Sequence, residues 1–171
     1  MALPQRKRQR LQGYDYKKGA YFITICIAKN QQPLSKISRD NPCGCPKPRL
    51  TLLGSVCEKT LKTVEEKYNV IISDYIIMPD HIHLILFMNE DDSRTTARVV
   101  PTVSSIVGAY KSLVSTEWLK ICKENNRKMN TLWERSFYDH IIRNDEDLYC
   151  KQQYIQKIRL NGVLRKGLYC D

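Results

Sequence analysis

Val70-Ile-Ile-Ser-Asp-Tyr-Ile-Ile-Met78 and His81-Ile-His-Leu-Ile-Leu-Phe-Met88 are two apolar, β-branched runs joined by Pro79-Asp80. They form the most apolar region of the chain. Short runs rich in Ile and bounded by Pro and Asp read as strands rather than helices. So tight a join turns the chain back on itself, which predicts an antiparallel pair in the centre of a sheet. Alternate side chains of a strand share a face. His81 and His83 therefore project together, while Ile82 enters the opposite, buried face.

The segments on either side extend this pattern. Ala20-Tyr-Phe-Ile-Thr-Ile-Cys-Ile-Ala28 follows Lys17-Lys18-Gly19 and reads as a buried strand. Asn30 to Pro48, rich in Pro, Gly and Ser, reads as a loop. From Leu53 to about Tyr68, the residues Val56, Leu61 and Val64 recur at helical spacing, with Gly54-Ser55 near the helix start. Asn89 to Arg98 is a polar loop. Thr102 to about Glu124 is helical, with Ile106, Tyr110, Leu113 and Val114 on one face and Lys111, Lys120 and Lys123 among them. A second loop, Asn125 to Asn130, precedes Trp133-Glu-Arg-Ser-Phe-Tyr-Asp-His-Ile-Ile-Arg143, to which no element is assigned. Asn144 is a good N-cap, and the acids Asp145, Glu146 and Asp147 suit the positive end of a helix reaching about Lys157. The order strand, helix, strand, strand, helix, helix predicts an α+β, ferredoxin-like sandwich: a central antiparallel sheet with helices packed on it.

The composition permits such a core. Of 171 residues 42% are hydrophobic, and no repeat or linker divides the chain. A single domain over 1–171 is expected, with a basic arm over 1–12 and an atypical tail over 159–171. Lys and Arg number 28 and Asp and Glu 18, so 28 − 18 gives a net charge of +10. With a pI near 9.3, a polyanionic partner and a merely basic soluble protein are both open. No apolar stretch approaches the roughly 20 residues of a membrane span. MALPQRKRQR lacks the apolar segment of a secretory signal, so a cytoplasmic protein is expected. The seven Cys (26, 43, 45, 57, 122, 150 and 170) fit free thiols in a reducing compartment. Cys43-Gly-Cys45 has no second pair with which to hold zinc.

Chemistry concentrates at three places. Two neutral imidazoles side by side, His81 and His83, are ready ligands for a divalent metal; the plainer reading is two partly exposed histidines at a strand end. Tyr154, inside the last helix and flanked by Gln152, Gln153 and Gln156, suits a site-facing position, or is simply one surface Tyr among ten. A Tyr hydroxyl with a free pKa of about 10 becomes a useful nucleophile when a metal polarises the phosphate it attacks. His140, beside Asp139, reads first as a packed histidine held by Asp139 or a backbone carbonyl. Together these parts describe a metal-assisted attack of Tyr on a phosphodiester. Arg6, Arg8 and Arg10 of the arm are candidates for holding the nucleic-acid backbone. Trp133, Phe137 and Tyr138 are candidates for stacking on unpaired bases.

The ordered set of these segments resembles the single-tyrosine HUH transposases, and among them the REP-associated tyrosine transposases. The resemblance runs from about Leu11 to Ile155. It includes Gly19-Ala-Tyr-Phe-Ile-Thr-Ile-Cys26, Leu50-Thr-Leu-Leu-Gly-Ser-Val56, Tyr75-Ile-Ile-Met-Pro-Asp-His-Ile-His-Leu-Ile85 and Trp133 to Asp147, followed by Tyr154-Ile155. The resemblance implies a ferredoxin-like palm, His81 and His83 as ligands of Mg²⁺ or Mn²⁺, and Tyr154 as the nucleophile that joins to a 5′-phosphate. It implies single-stranded DNA bearing a hairpin as substrate, and a nucleoid-associated enzyme that nicks and rejoins that DNA. Lys111, Trp133 and Arg135 are further candidate DNA contacts, and His140 and Arg143, which belong to a signature of that family, are candidates for a structural or DNA-contacting role.

One departure stands out. In the family an Asn four residues after the nucleophile helps complete the metal site, whereas here position 158 is Ile and 159 is Arg. Asn161 is the nearest replacement for a third ligand. The departure keeps an alternative open: a decayed protein of the same fold that grips hairpin DNA without cutting it. Rolling-circle initiators and relaxases share the two-His and Tyr chemistry, but their size and added domains fit this chain less well. A homodimer that exchanges the Tyr helix and a monomer acting in cis are both compatible with the resemblance.

Overall fold

In the computed structural model, which describes residues 18–29, 31–38, 47–88 and 101–161, the two decisive runs are strands β4 (Val70–Ile77) and β5 (His81–Met88). They pair antiparallel, and Met78 N–H donates to His81 C=O across the Pro79-Asp80 turn at 2.8 Å. β1 (Gly19–Cys26) pairs along the other side of β5, and β6 (Tyr138–Ile142) closes the sheet against β1. All three pairings are antiparallel, and the order is β4-β5-β1-β6. β5 is therefore central as expected, whereas β4 is an edge strand and not a central one.

Helix α1 (Leu52–Tyr68) links β1 to β4, and α2 (Val103–Glu124) links β5 to β6. Each pair of linked strands flanks a third, which is the split βαβ arrangement of a ferredoxin-like α+β fold. Thr51 caps α1 by accepting from Gly54 N–H, and Thr102 with Ser105 forms a capping box on α2. α1 and α2 cover one face of the sheet. Leu53, Leu61 and Val64 of α1 and Ile106, Tyr110 and Val114 of α2 meet Tyr21, Ile23, Ile25, Ile82, Leu84 and Leu86 in one continuous core. Burying one such aliphatic side chain is worth about 1.5–3 kcal/mol.

The opposite face receives α3 (Asp145–Asn161), capped by Asn144 Oδ1, which accepts from Asp147 N–H at 2.8 Å. Here Ile155 and Ile158 pack on Ile76, Met78 and Ile85, a much smaller cluster. A β-bulge at Ser73 reverses the alternation within β4. Before it Val70 and Ile72 face α1; after it Tyr75 and Ile77 do so, which turns Asp74, Ile76 and Met78 toward α3. Gln152 of α3 donates to Asp74 Oδ2 at 3.1 Å, and Arg159 donates to Tyr75 C=O at 2.8 Å.

Two segments differ from the sequence expectation. Part of the stretch read as a loop forms a hairpin, β2 (Ser35–Ser38) with β3 (Lys47–Leu50). Its strands are four residues each and mostly polar, so they carry no alternating signal. β6 lies in the stretch left without an element. It is an edge strand with no fully buried residue, and its apolar pattern is correspondingly faint. Arg6, Arg8, Arg10, Cys43 and Cys45 lie outside the described residues, as does the side chain of Asn161. Among the described residues no helix is long and apolar enough to cross a membrane.

Candidate active site

The site lies on the α3 face of the sheet, where strand alternation delivers its parts. His81 and His83 leave β5 on this face. Their cross-strand partners on β1 are Cys26 and Thr24, with Phe22 next along the same face. His83 is buried, and His81 has 17% of its side chain exposed. His81 Nε2 and His83 Nε2 stand 3.1 Å apart. The outer nitrogen of each ring is fixed: His81 Nδ1 meets Asp80 Oδ1 at 2.7 Å, and His83 Nδ1 meets Thr24 Oγ1 at 2.9 Å. A carboxylate only accepts, so Asp80 accepts from His81 Nδ1–H, and the neutral form of that tautomer presents Nε2 as a lone pair. Burial, and then the neighbouring His81, push His83 down to about 3 against the smaller opposing pull of Asp80, so its ring is neutral near pH 7.

Such a pair has two ways to satisfy its facing nitrogens. His83 Nε2–H can donate to His81 Nε2, with Thr24 donating to His83 Nδ1. Alternatively the His83 proton moves to Nδ1, Thr24 accepts it, and two lone pairs face a cation. An octahedral divalent ion with bonds of about 2.1 Å sets neighbouring donors roughly 3.0 Å apart, close to the spacing of the two Nε2 atoms. The donor pair thus fits a divalent metal of the Mg²⁺ or Mn²⁺ size. Among the described residues no cluster of three or more His, Cys, Asp or Glu adds to it.

α3 brings Tyr154 to the same place. Its ring stands edge-on to His83, with centroids 5.4 Å apart, and edge-on to Phe22 at 5.9 Å. Phe22 in turn stacks on His83 at 5.1 Å and 24°. Tyr154 is half-buried. The juxtaposition is made within one chain. Position 158, one turn on, is filled by the buried Ile158 of the apolar cluster.

A family described as Transposase IS200 like matches residues 45–158. The chain belongs to the IS200-like transposase family. An uncharacterized Haemophilus influenzae protein is 28% identical, over 97% of this chain and 94% of its own length. Another protein of the same organism, described as a REP-associated tyrosine transposase, is 33% identical over 46% of this chain and 43% of its own. Among solved structures, a REP-associated tyrosine transposase bound to a REP hairpin superposes with a TM-score of 0.54 at 18% identity, covering 85% of this chain and 69% of the other. A Deinococcus radiodurans protein described as a transposase gives 0.50 at 16% identity, over 89% and 98%. At these identities the two structures establish a shared fold.

The remaining candidates separate. Trp133 belongs to the core, not to a stacking surface: it is 8% exposed, and its indole N–H donates to Lys111 C=O. Lys111 is half-buried and donates to the carbonyls of Glu134 and Ser136 at 2.8 and 2.9 Å, so two of its three donors hold the chain leading into β6. Arg135 and Arg143 are exposed. The partner of His140 is Asp147 of α3, at 2.8 Å, and not the adjacent Asp139, which strand alternation turns to the other face. Sequence reasoning missed Thr24 and Phe22. Their signal was the two-residue period of β1, which becomes readable only once its register against His83 is known. It also missed Asp80, which looked like a turn residue and serves as the anchor of His81.

Proposed function

We propose that this protein nicks and rejoins hairpin-bearing single-stranded DNA through a covalent link between Tyr154 and a 5′-phosphate. The reading rests on the convergence of His81, His83 and Tyr154 on one face of the sheet. Its choice of substrate is supported by the likeness to a fold bound to a REP hairpin and by the net charge of +10. His81 and His83 would hold Mg²⁺ or Mn²⁺, with Asp80 and Thr24 fixing the tautomers that present both Nε2 atoms. When bound, the ion supplies Lewis-acid polarisation of the phosphate. Tyr154 Oη attacks phosphorus and loses its proton, the P–O3′ bond breaks, and the 3′-oxygen leaves as a hydroxyl. One ester replaces another, so the reverse reaction rejoins the strand without an outside energy source. Phe22 and the small cluster around Ile85 wall the site on the sheet side and keep the Tyr154 ring from turning away.

The test is a covalent trap: labelled hairpin DNA from repeats flanking the gene, Mn²⁺ and a denaturing gel. A slow-migrating protein–DNA band is expected, lost in Tyr154→Phe and His81→Ala, with hairpin binding by Tyr154→Phe within a few-fold of the parent. An unchanged band in Tyr154→Phe would refute the assignment of the nucleophile. A binding-only protein is the second reading, favoured by the apolar packing of Ile158. Tight hairpin binding with no band and no Mn²⁺ affinity would select it.

A further inference from the structure

We propose that Lys151 is a phosphate-binding residue of this site, contacting the DNA phosphate next to Tyr154; this rests on the DNA-cleaving reading above. α3 carries Asp147, Lys151 and Tyr154 at intervals of four and three, so the three lie along one stripe. Beside that stripe Leu148, Ile155 and Ile158 pack on the sheet, which fixes the helix rotation and aims the polar stripe at the open side of the site. The Lys151 ammonium lies 5.9 Å from the centroid of Phe22, the ring that also stacks on His83 and meets Tyr154. Three functional side chains thus surround one aromatic ring.

The lysine is held but not consumed. Its side chain is only 17% exposed, unusually little for a lysine on an outer helix. Among the described residues its ion-pair partner is Asp147, whose Oδ1 is 3.8 Å away, longer than a charge-assisted hydrogen bond. Asp147 gives its other oxygen to His140 at 2.8 Å. Among the described residues the three ammonium donors thus have one loose, shared carboxylate for a partner and an aromatic face beneath them. A partly desolvated cation in that position suits a phosphodiester oxygen. It is of most use when attack by Tyr154 adds negative charge to the phosphorus oxygens. A structural role alone, as an i,i+4 partner of Asp147, would leave DNA binding and cleavage unaffected.

Two measurements on the full chain test this. In the Tyr154→Phe background, where no bond forms, hairpin DNA binding is followed against salt with and without Lys151→Met. Loss of one phosphate contact should lower the slope of log K against log salt by about 0.7–0.9, and Lys151→Arg should restore it. An unchanged slope in Lys151→Met overturns the proposal. With Tyr154 present, single-turnover adduct formation in Mn²⁺ should fall at least tenfold in Lys151→Met and recover in Lys151→Arg; a rate equal to the parent's also overturns it. A parent that forms no adduct would overturn the cleavage reading instead, and the slope would then decide whether Lys151 touches phosphate. Circular dichroism and melting of each variant separate these effects from loss of fold.

Discussion

The two faces of one sheet are built to different rules. On the α1/α2 face Tyr21, Ile23 and Ile25 of β1 and Ile82, Leu84 and Leu86 of β5 are almost wholly buried. On the α3 face the same strands present Phe22, Thr24, His81 and His83, with an apolar cluster built around five fully packed residues. The alternation of a single strand divides the labour: one set of positions holds the fold, the other is free to carry chemistry. Few apolar contacts under α3 also mean that its seat depends on polar ties, Gln152 to Asp74 and Arg159 to the Tyr75 carbonyl.

Adjacent residues of β5 offer the strongest way to break this comparison. Ile82 is fully buried, and Ile82→Ala is expected to cost about 2–5 kcal/mol, a large part of a typical stability of about 5–15 kcal/mol. His81→Ala, one position away, should cost less than about 1 kcal/mol and instead abolish Mn²⁺ binding. Urea unfolding of both variants checks it, and equal losses would mean that the two faces contribute alike. A smaller effect is expected where Leu34, just before β2, meets the start of α1. A Cβ on Gly54 would clash with Leu34 C=O, the same oxygen that accepts from Thr51 N–H. Gly54→Ala should therefore destabilise by about 1–3 kcal/mol. Gly108→Ala in α2 meets nothing within 4 Å and should stabilise by roughly 0.5–1 kcal/mol. The same sign of melting shift for both would refute the close approach.

The same division explains what was readable in advance. β1, β4, β5, α1 and α2 serve the large core, and burial imposes on them the apolar runs and periods by which they were read. The direction of His81 and His83 followed from that period alone. β6 and the β2–β3 hairpin bury little, so no pattern marks them, and without β6 the place of His140 was misjudged: its partner is seven residues on, across the gap between strand and helix. The His81–His83 pair was legible as a pair, but its supports were not. Thr24 reaches His83 across 59 residues of sequence, and only sheet register brings the two together. Ile158 illustrates the converse. Read against the family pattern it is a missing amide, whereas its packing against Ile76 and Ile85 gives it a stabilising place under α3.

The His140–Asp147 pair provides the finest test, because it ties α3 to β6 on the face with the smaller core. Burial alone would raise the Asp147 carboxyl. The hydrogen bond and charge of His140, with Lys151 and the Arg143 backbone N–H, outweigh it and hold the group below its ordinary value of 3.8. A carboxyl depressed on folding stabilises the native state above its unfolded pKa and loses that contribution as pH falls through its folded pKa. The parent should therefore exceed Asp147→Asn at pH 5–6, and the two should converge below about pH 3. His140 is 49% exposed, so the difference at pH 5–6 should be only about 0.2–1 kcal/mol, shrinking in high salt. Urea midpoints at several pH values measure it. A gap that persists unchanged at pH 2.5 would show that Asp147→Asn disturbs packing rather than charge, and the ties that seat α3 would then reduce to Gln152–Asp74, Arg159–Tyr75 and the apolar stripe.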